Sequence, residues 1–487
     1  MASRTAPPIL VWFRDDLRLS DHAALAAAAR GSPVVCLYVL DEASAALNPP
    51  QARPLGGAAR WWLAQSLKSL ATSLAAHKVP LVLRRGRAAE VVPEVAREAG
   101  ASEVCWNEID IAPFAHVAGD VGDAVAQAGL AWKSFRGDLL VRPADLRTKD
   151  GRGLKVFTPF WKRILGRGDA PRPLPAPSQL AAAAVTPASE ELSSWGLLPT
   201  RPDWAGGLRA TWSVGEAAAR QRLNDFLAGA IAGYASDRDR PDRLATSGLS
   251  PHLRFGEISP RQVWHAARFA AAERPAIARD VDKFLSELGW REFCRHLLHD
   301  HVDLAARNLQ ASFDAFPWRS DPQALKAWQH GRTGYPIVDA GMRELWHTGT
   351  MHNRVRMVAA SFLCKHLLID WRAGEAWFWG TLVDADPASN PANWQWVAGC
   401  GADAAPYFRI FNPVLQGERF DPDGAYVAKW VPELAQLPAT LIHKPWTATP
   451  LELASAGIRL GETYPEPIVD HGAARARALA AYAGTRA

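Results

Sequence analysis

The densest group of residues able to do chemistry is Asp384-Ala-Asp386-Pro-Ala-Ser-Asn390-Pro-Ala-Asn393-Trp394-Gln-Trp396. Its Asp-x-Asp start resembles a calcium loop. The sixth position is Ser389 where glycine is needed, and the twelfth is Gln395 where glutamate is needed, so calcium is rejected. Asp and Asn suit a polar turn, yet two indoles flanking Gln395 exceed what a turn requires. A second group, Met351-His352-Asn353-Arg354-Val-Arg356-Met357, puts Asn353 and Met357 on one helical face. Its arginines suit phosphate or carboxylate, although alone it reads as a solvated basic helix. In Ser286-Glu287-Leu-Gly-Trp290-Arg291-Glu292, Glu287 and Trp290 share a face, with an ordinary Glu287–Arg291 pair worth about 0.2–0.5 kcal/mol as the plain reading. His296, His299 and His301, with Cys294 nearby, cannot all face one ion on a regular helix, so no metal site is expected. Thr246-Ser247-Gly248-Leu249-Ser250 offers three hydroxyls and a glycine ahead of a helical stretch. That pattern binds phosphate or simply caps a helix.

These groups need a frame. The first 140 residues alternate apolar runs with helical patterns. Ile9–Phe13, Val34–Leu40, 80–83, 103–106 and Ala131–Phe135 read as strands; 23–30, 60–77 and 88–99 read as helices. Continuous apolar strands separated by helices predict a doubly wound, Rossmann-like parallel sheet, which binds ligands at the carboxyl ends of its strands. No GxGxxG or P-loop is present. Residues 141–204 are rich in proline and read as an inter-domain connection, extended at 173–177. From Ser213, expected as an N-cap boxed with Glu216, helical periodicity runs through 260–275, 280–301, 322–330, 336–348, 353–369 and 372–382. The prediction is an α/β domain over 1–140, a linker over 141–204 and an all-α domain over 205–487.

Composition sets the outer limits. The chain has 487 residues, 48% hydrophobic and 22% charged, which excludes disorder and fibres. No apolar stretch is long enough to span a membrane, and the first eight residues lack the apolar core of a signal peptide. Five dispersed cysteines, none in a CxxC pair, suit reduced thiols in the cytoplasm. A net charge of +5 permits a polyanionic partner without demanding one. Of 21 tryptophans, fourteen follow residue 200. A large helical core explains them plainly; stacking or electron transfer is the sharper reading.

In order along the chain, VWFRDDLRLSD (11–21), TSGLSPHLRFGEIS (246–259), SELGWREFCRHLL (286–298), GRTGYPIVDAGMREL (331–345), MHNRVRM (351–357), KHLLIDWR (365–372), DADPASNPANWQWVAG (384–399) and DAAPYFRIFNP (403–413) resemble the cryptochrome/photolyase family, most closely bacterial class I photolyases for cyclobutane pyrimidine dimers. The resemblance covers nearly the whole chain and agrees with the two-domain reading. It implies a U-shaped, reduced FAD held by Tyr234, Thr246, Ser247, Leu249, Ser250, Arg291, Asn353, Arg356, Asp384, Asp386 and Asn390, with Asn390 at the flavin N5. Glu287, Asn353, Met357 and Asn390 would be the catalytic set. Glu287, Trp290, Met357 and Trp396 would line a pocket for a flipped-out dimer, since a damaged dinucleotide costs less to extrude and its rings stack on indoles. Arg238, Arg354 and Arg409 would meet the DNA backbone, and Trp318, Trp371 and Trp394 would relay electrons for photoreduction, which repair itself does not need.

The implied activity is light-driven repair: excited reduced FAD lends an electron to the dimer, the ring opens, and the electron returns, with no metal. UV-damaged DNA is the expected partner and a monomer the expected state. Met357, unable to transfer a proton, argues against the (6-4) photoproduct, whose photolyases carry histidines in this stretch. A blue-light sensor of cryptochrome type, (6-4) repair and a light-independent flavoprotein are the rival readings. Three departures stand out: Asp21-His22 where relatives usually have Asp-Asn, Gly248 where some carry a basic residue, and Asn107-Glu108 earlier than the pair that folate-binding relatives use. An antenna chromophore of folate or deazaflavin type is therefore left open.

Overall fold

The computed structural model describes residues 6–49, 52–137, 139–404 and 408–485. It divides into two compact units. One comprises Met1–Trp204, Trp212–Ala232 and Ser247–Asp303; the other Ala205–Thr211, Gly233–Thr246 and Leu304–Ala487.

The first unit holds the parallel sheet. Its strands are β1 (Ile9–Phe13), β2 (Val34–Leu40), β3 (Leu81–Arg85), β4 (Glu103–Asn107) and β5 (Ala131–Phe135), in the order β3-β2-β1-β4-β5. All neighbours are parallel, with Val11 opposite both Cys36 and Cys105. Every residue of β2 is buried, as an unbroken apolar run demands when both faces of a sheet are covered. The helices of the sheet region are α1 (Ala23–Ala28), α2 (Gly57–Ala75), α3 (Ala88–Glu98) and α4 (Ala112–Gln127); α4 was not foreseen. Valines 91, 92 and 95 of α3 and 117, 121 and 125 of α4 pack with Leu10, Trp12, Leu37 and Val104 into one core.

Two local expectations are corrected here. The proline-rich stretch 141–204 contains a helix, α5 (Phe157–Leu165), whose Phe160 and Ile164 are buried. Ser213 does not cap the next helix, α6 (Glu216–Ala228): Gly215, at φ 109°, stands at its start. The Glu216 carboxylate is drawn away to the amides of Leu19 (2.7 Å) and Ser20 (3.1 Å) and to the Ser20 hydroxyl. Glu287 pairs with Lys283 (2.9 Å), and Arg291 with Glu292 (3.0 Å). Further helices of this unit are α7 (Ser250–Arg254), α8 (Pro260–Glu273) and the 23-residue α9 (Ala278–Asp300).

The second unit is helical, with no strand longer than an isolated bridge among its described residues. Its core gathers Phe313, Trp328, Phe362, Trp371, Phe378 and Trp394. Its relevant helices are α10 (Asn353–Ser361), α11 (Trp371–Thr381), α12 (Ser389–Ala398) and α13 (Pro413–Phe420). The single helix expected over 353–369 is α10 followed by a π-helical turn, Phe362–His366, which ends where Leu368 takes φ 54°. An α/β sheet region and a helical region are thus both present. All five cysteines are free and buried, and burial pushes the Cys36 and Cys400 thiols up to about 12. Among the described residues no helix is long and apolar enough to cross a membrane.

Candidate functional site

In the first unit, the motif at the end of β1 builds a buried polar network. Asp16 accepts from the Arg14 amide (2.7 Å) and the Asn107 side chain (2.8 Å) and stands 3.0 Å from His22 Nε2. Burial would raise this carboxyl, but His22 and the amide outweigh burial and hold it at about 2. His22 also caps α1, its Nδ1 accepting from the Leu25 amide at 3.0 Å. That double duty accounts for histidine after Asp21. Asp21 accepts from Ser259 Oγ (2.5 Å), Arg261 Nε (3.0 Å) and the Leu174 amide (3.0 Å). The other end of the Asn107 amide accepts from the Ala24 amide at 3.1 Å, so this asparagine is spent inside the sheet end. Its neighbour Glu108 accepts from Ser134 Oγ at 2.8 Å.

Ser247, Leu249 and Ser250 form the turn that enters α7, with Gly248 at φ 61°. Glu287, Trp290 and Arg291 lie on α9. The Trp290 indole is stacked on Phe157 of α5, with centroids 3.8 Å apart and planes at 7°. Gly289 lets Trp161 of α5 lie close against α9, because a Cβ there would stand 2.4 Å from the Trp161 ring. Phe157 is a residue the sequence did not single out; α5 was hidden among prolines. Among the described residues no group of three or more His, Cys, Asp or Glu is placed to hold a metal. His296 instead bonds the Val141 carbonyl at 2.9 Å, and burial pushes it down to about 4.

In the second unit, Asn353 and Met357 are one turn apart on α10, whose N-cap is His352. His352 Nδ1 accepts from the Arg354 amide (3.2 Å), and burial pushes its imidazole down to about 4. It is thus a neutral cap near pH 7. Arg356 bonds the Met351 carbonyl (2.7 Å) and both Asp384 oxygens (3.2 and 3.0 Å). Arg354 pairs with Asp239 (2.6 Å) and lies 4.3 Å over the Phe420 ring of α13. Arg238 stands 5.7 Å over Tyr234, which is buried at the start of a short helix ending before it. Thr246 lies in the adjoining stretch of this unit. Arg409 is exposed, 6.0 Å over Phe411; residues 405–407 of the motif 403–413 lie outside the described residues.

Asp386 accepts from the Ala388 (2.9 Å) and Ser389 (2.7 Å) amides and so organises the start of α12. At its second residue, the buried Asn390 donates from Nδ2 to the Glu375 carbonyl (3.0 Å) and to Glu375 Oε1 (2.7 Å). Both amide hydrogens are thereby used, and Oδ1 is left as the acceptor this side chain offers. Glu375 had no sequence signal, sitting fifteen residues earlier on another helix. Gln395, unexplained by its motif, is fully buried and ties down the loop at 304–309 through the Leu304 and Arg307 carbonyls (2.7 and 2.8 Å) and the Leu309 amide (2.9 Å). Trp396 donates to the Asp403 carbonyl at 3.1 Å.

Of the relay tryptophans, Trp371 and Trp394 are buried and Trp318 is half-buried. Trp394 presses on α11 so closely that a Cβ on Gly374 would lie 2.2 Å from its ring. Trp371 opens that same helix and donates to Asn308 at 2.9 Å. The Arg319 amide, next to Trp318, bonds the Leu368 carbonyl at 2.7 Å, three residues before Trp371.

Comparisons with known proteins agree on one family. The family described as DNA photolyase matches residues 9–178, and the FAD binding domain of DNA photolyase matches 284–484. A deoxyribodipyrimidine photo-lyase of Agrobacterium fabrum is 52% identical over 487 residues, covering 100% of this chain and 99% of the relative. Cryptochrome-1 of Arabidopsis thaliana is 38% identical, covering 96% and 69% respectively. The crystal structure of a bacterial class III photolyase from Agrobacterium tumefaciens superimposes with a TM-score of 0.95 at 51% identity, covering 100% of this chain and 99% of that one. Its stated class differs from the class I type to which the sequence was likened. The chain belongs to the photolyase/cryptochrome family.

Proposed function

We propose that this protein repairs UV-damaged DNA as a light-driven photolyase, acting on cyclobutane pyrimidine dimers as a cytoplasmic monomer. The observation that carries the proposal is Asn390. With both N–H groups held by Glu375, its oxygen suits an N–H donor, and the N5 of a flavin carries a hydrogen only when the flavin is reduced. The remaining FAD set is chemically suited: the Ser247–Ser250 hydroxyl turn for phosphate, and the Arg356–Asp384 pair as a fixed polar anchor. Bound FAD would supply the light-driven electron that opens the dimer and is then returned.

The protein's own groups bind and orient. Trp290, one face covered by Phe157, offers its other face to a base, and Trp396 offers a second indole. Glu287 hydrogen-bonds a thymine edge. Met357 excludes water and carries no proton, and His352 beside it is a neutral cap; both disfavour the acid–base route of (6-4) repair. The functional division we infer follows 1–140, 141–204 and 205–487, with Trp394, Trp371 and Trp318 restoring reduced flavin. An antenna of folate or deazaflavin type would add light absorption only, and Asn107, spent inside the sheet end, would not be its amide ligand. The cryptochrome relatives favour a second reading, a light sensor. Blue-light repair of a thymine-dimer oligonucleotide, beside a (6-4) oligonucleotide and a dark control, decides between them. Dimer-only, light-dependent repair supports the proposal; normal flavin photoreduction without repair of either lesion overturns it.

A further inference from the structure

One arginine of the first unit has no acidic partner among the described residues. Arg222, on α6, makes no ion pair or hydrogen bond among the described residues; its recorded contact is with Trp212, whose ring centroid lies 4.9 Å from the guanidinium carbon. Its neighbours are differently served. Arg220 lies 3.7 Å from Glu216, and Asp225, the nearest acid along the helix from Arg222, is taken by Gln221 at 2.7 Å. A half-buried cation without an ion-paired acid has lost part of its hydration, and an indole face makes up only part of that; burial lowers its affinity for a proton, with Asp225 acting against.

The guanidinium sits at a specific place. Gly248 takes φ 61°, and a Cβ built on it would stand 2.7 Å from Arg222 Nη1 and 3.5 Å from Cζ. Arg222 therefore fills the space a side chain at 248 would occupy, inside the turn that carries the Ser247 and Ser250 hydroxyls. Ser247 Oγ already faces the turn, 3.4 Å from the Leu249 amide. A planar fork stacked on an indole keeps its N–H edges aimed outward in a fixed geometry, which suits two oxygens of one phosphoryl group.

We propose that Arg222 is a phosphate-binding residue: its guanidinium, stacked on Trp212 and seated against Gly248 of the 247–250 turn, takes a phosphoryl oxygen of a nucleotide chain. The assignment rests on the photolyase reading, which provides two sources of that chemistry, the pyrophosphate of FAD and the backbone of DNA. The glycine at 248 then does not remove a cation from this turn. The cation arrives from α6.

The test uses the holoprotein and Arg222→Gln in two arms. In one, FAD released on dialysis is followed by absorbance. In the other, the affinity for a labelled duplex holding one thymine dimer is followed by anisotropy across a salt series. If the pyrophosphate is the source, Arg222→Gln holds FAD about tenfold more weakly and its salt dependence on DNA is unchanged. If the DNA backbone is the source, FAD retention is unchanged and the slope of log K against log salt falls by about 0.9, one phosphate contact. Adding Gly248→Arg to Arg222→Gln restores the affected arm, which a packing defect would not allow. Circular dichroism confirms the fold, and Arg222→Lys keeps the charge if glutamine unfolds the turn. Wild-type behaviour in both arms for Arg222→Gln overturns the assignment. Loss of the photolyase reading is seen separately, as wild-type protein that does not repair in light.

Discussion

Two stretches of this chain read alike as sequence and behave differently in the fold. Residues 14–22, with three Asp, two Arg and a His, and residues 384–396, with two Asp, two Asn and two Trp, are both dense in polar and aromatic side chains. In the first, the polar groups are spent on one another and on nearby backbone: Asp16 on Arg14, Asn107 and His22, and Asp21 on Ser259, Arg261 and Leu174. In the second, the polar groups serve to aim one another. Asp386 organises the helix start, Glu375 takes both hydrogens of Asn390, and Arg356 is locked to Asp384. A motif can therefore mark a structural keystone or a chemical site, and the difference lies in whether its last acceptor or donor is consumed internally. Changes in the first stretch should cost stability; changes in the second should cost chemistry in a folded protein.

That contrast can be broken in several ways, the largest effect first. Trp371→Phe should bring photoreduction of oxidised FAD to background while chemically pre-reduced protein still repairs; a variant that photoreduces normally would remove Trp371 from the relay. Asp16→Ala leaves the His22 and Asn107 donors of a buried network without their acceptor and should cost about 3–5 kcal/mol in urea unfolding, with repair per folded molecule kept. The same carboxyl makes stability depend on pH. Its folded value of about 2 lies below its ordinary 3.8, so its contribution is full above about pH 4 and is lost as pH falls toward 2. Relative to Asp16→Asn, the wild type should lose about 2 kcal/mol over that window. Glu375→Gln frees the Asn390 amide to turn and should lower light-driven repair about tenfold, roughly 1.4 kcal/mol, with the urea midpoint nearly unchanged; equal activity would show that Glu375 does not aim Asn390. Phe157→Leu removes the ring under Trp290 and should weaken binding of a dimer oligonucleotide by about 0.5–1.5 kcal/mol, less than Trp290→Ala does.

The readings that succeeded were those carried by local patterns. The bounds of β1, β2 and β5 were read to the residue; for β1 and β2 the reason is an apolar run buried on both faces, which leaves no choice of period. Helices α3, α8 and α9 followed within a few residues from apolar spacing. The failures share one cause. α5 reads FTPFWKRIL between prolines and glycines, so its amphipathic face was masked by breakers on either side. The Ser213–Glu216 box was a sound local pattern, but Glu216 found donors at Leu19 and Ser20, nearly 200 residues away.

By itself the sequence determined the succession of the five strands, the parallel sheet, the helical second region and the family, because these depend on periodicity and on motifs contiguous in the chain. It could also name Asn390, Arg356, Trp290 and Glu287, since each lies inside such a motif. Only the tertiary structure decided what holds them: Glu375 behind Asn390, Phe157 beneath Trp290, Arg222 beside Gly248, and Asp16 at the centre of a buried network. Those partners come from other elements, where hydrogen-bond direction and ring contact depend on three-dimensional approach, and no spacing along the chain encodes that approach.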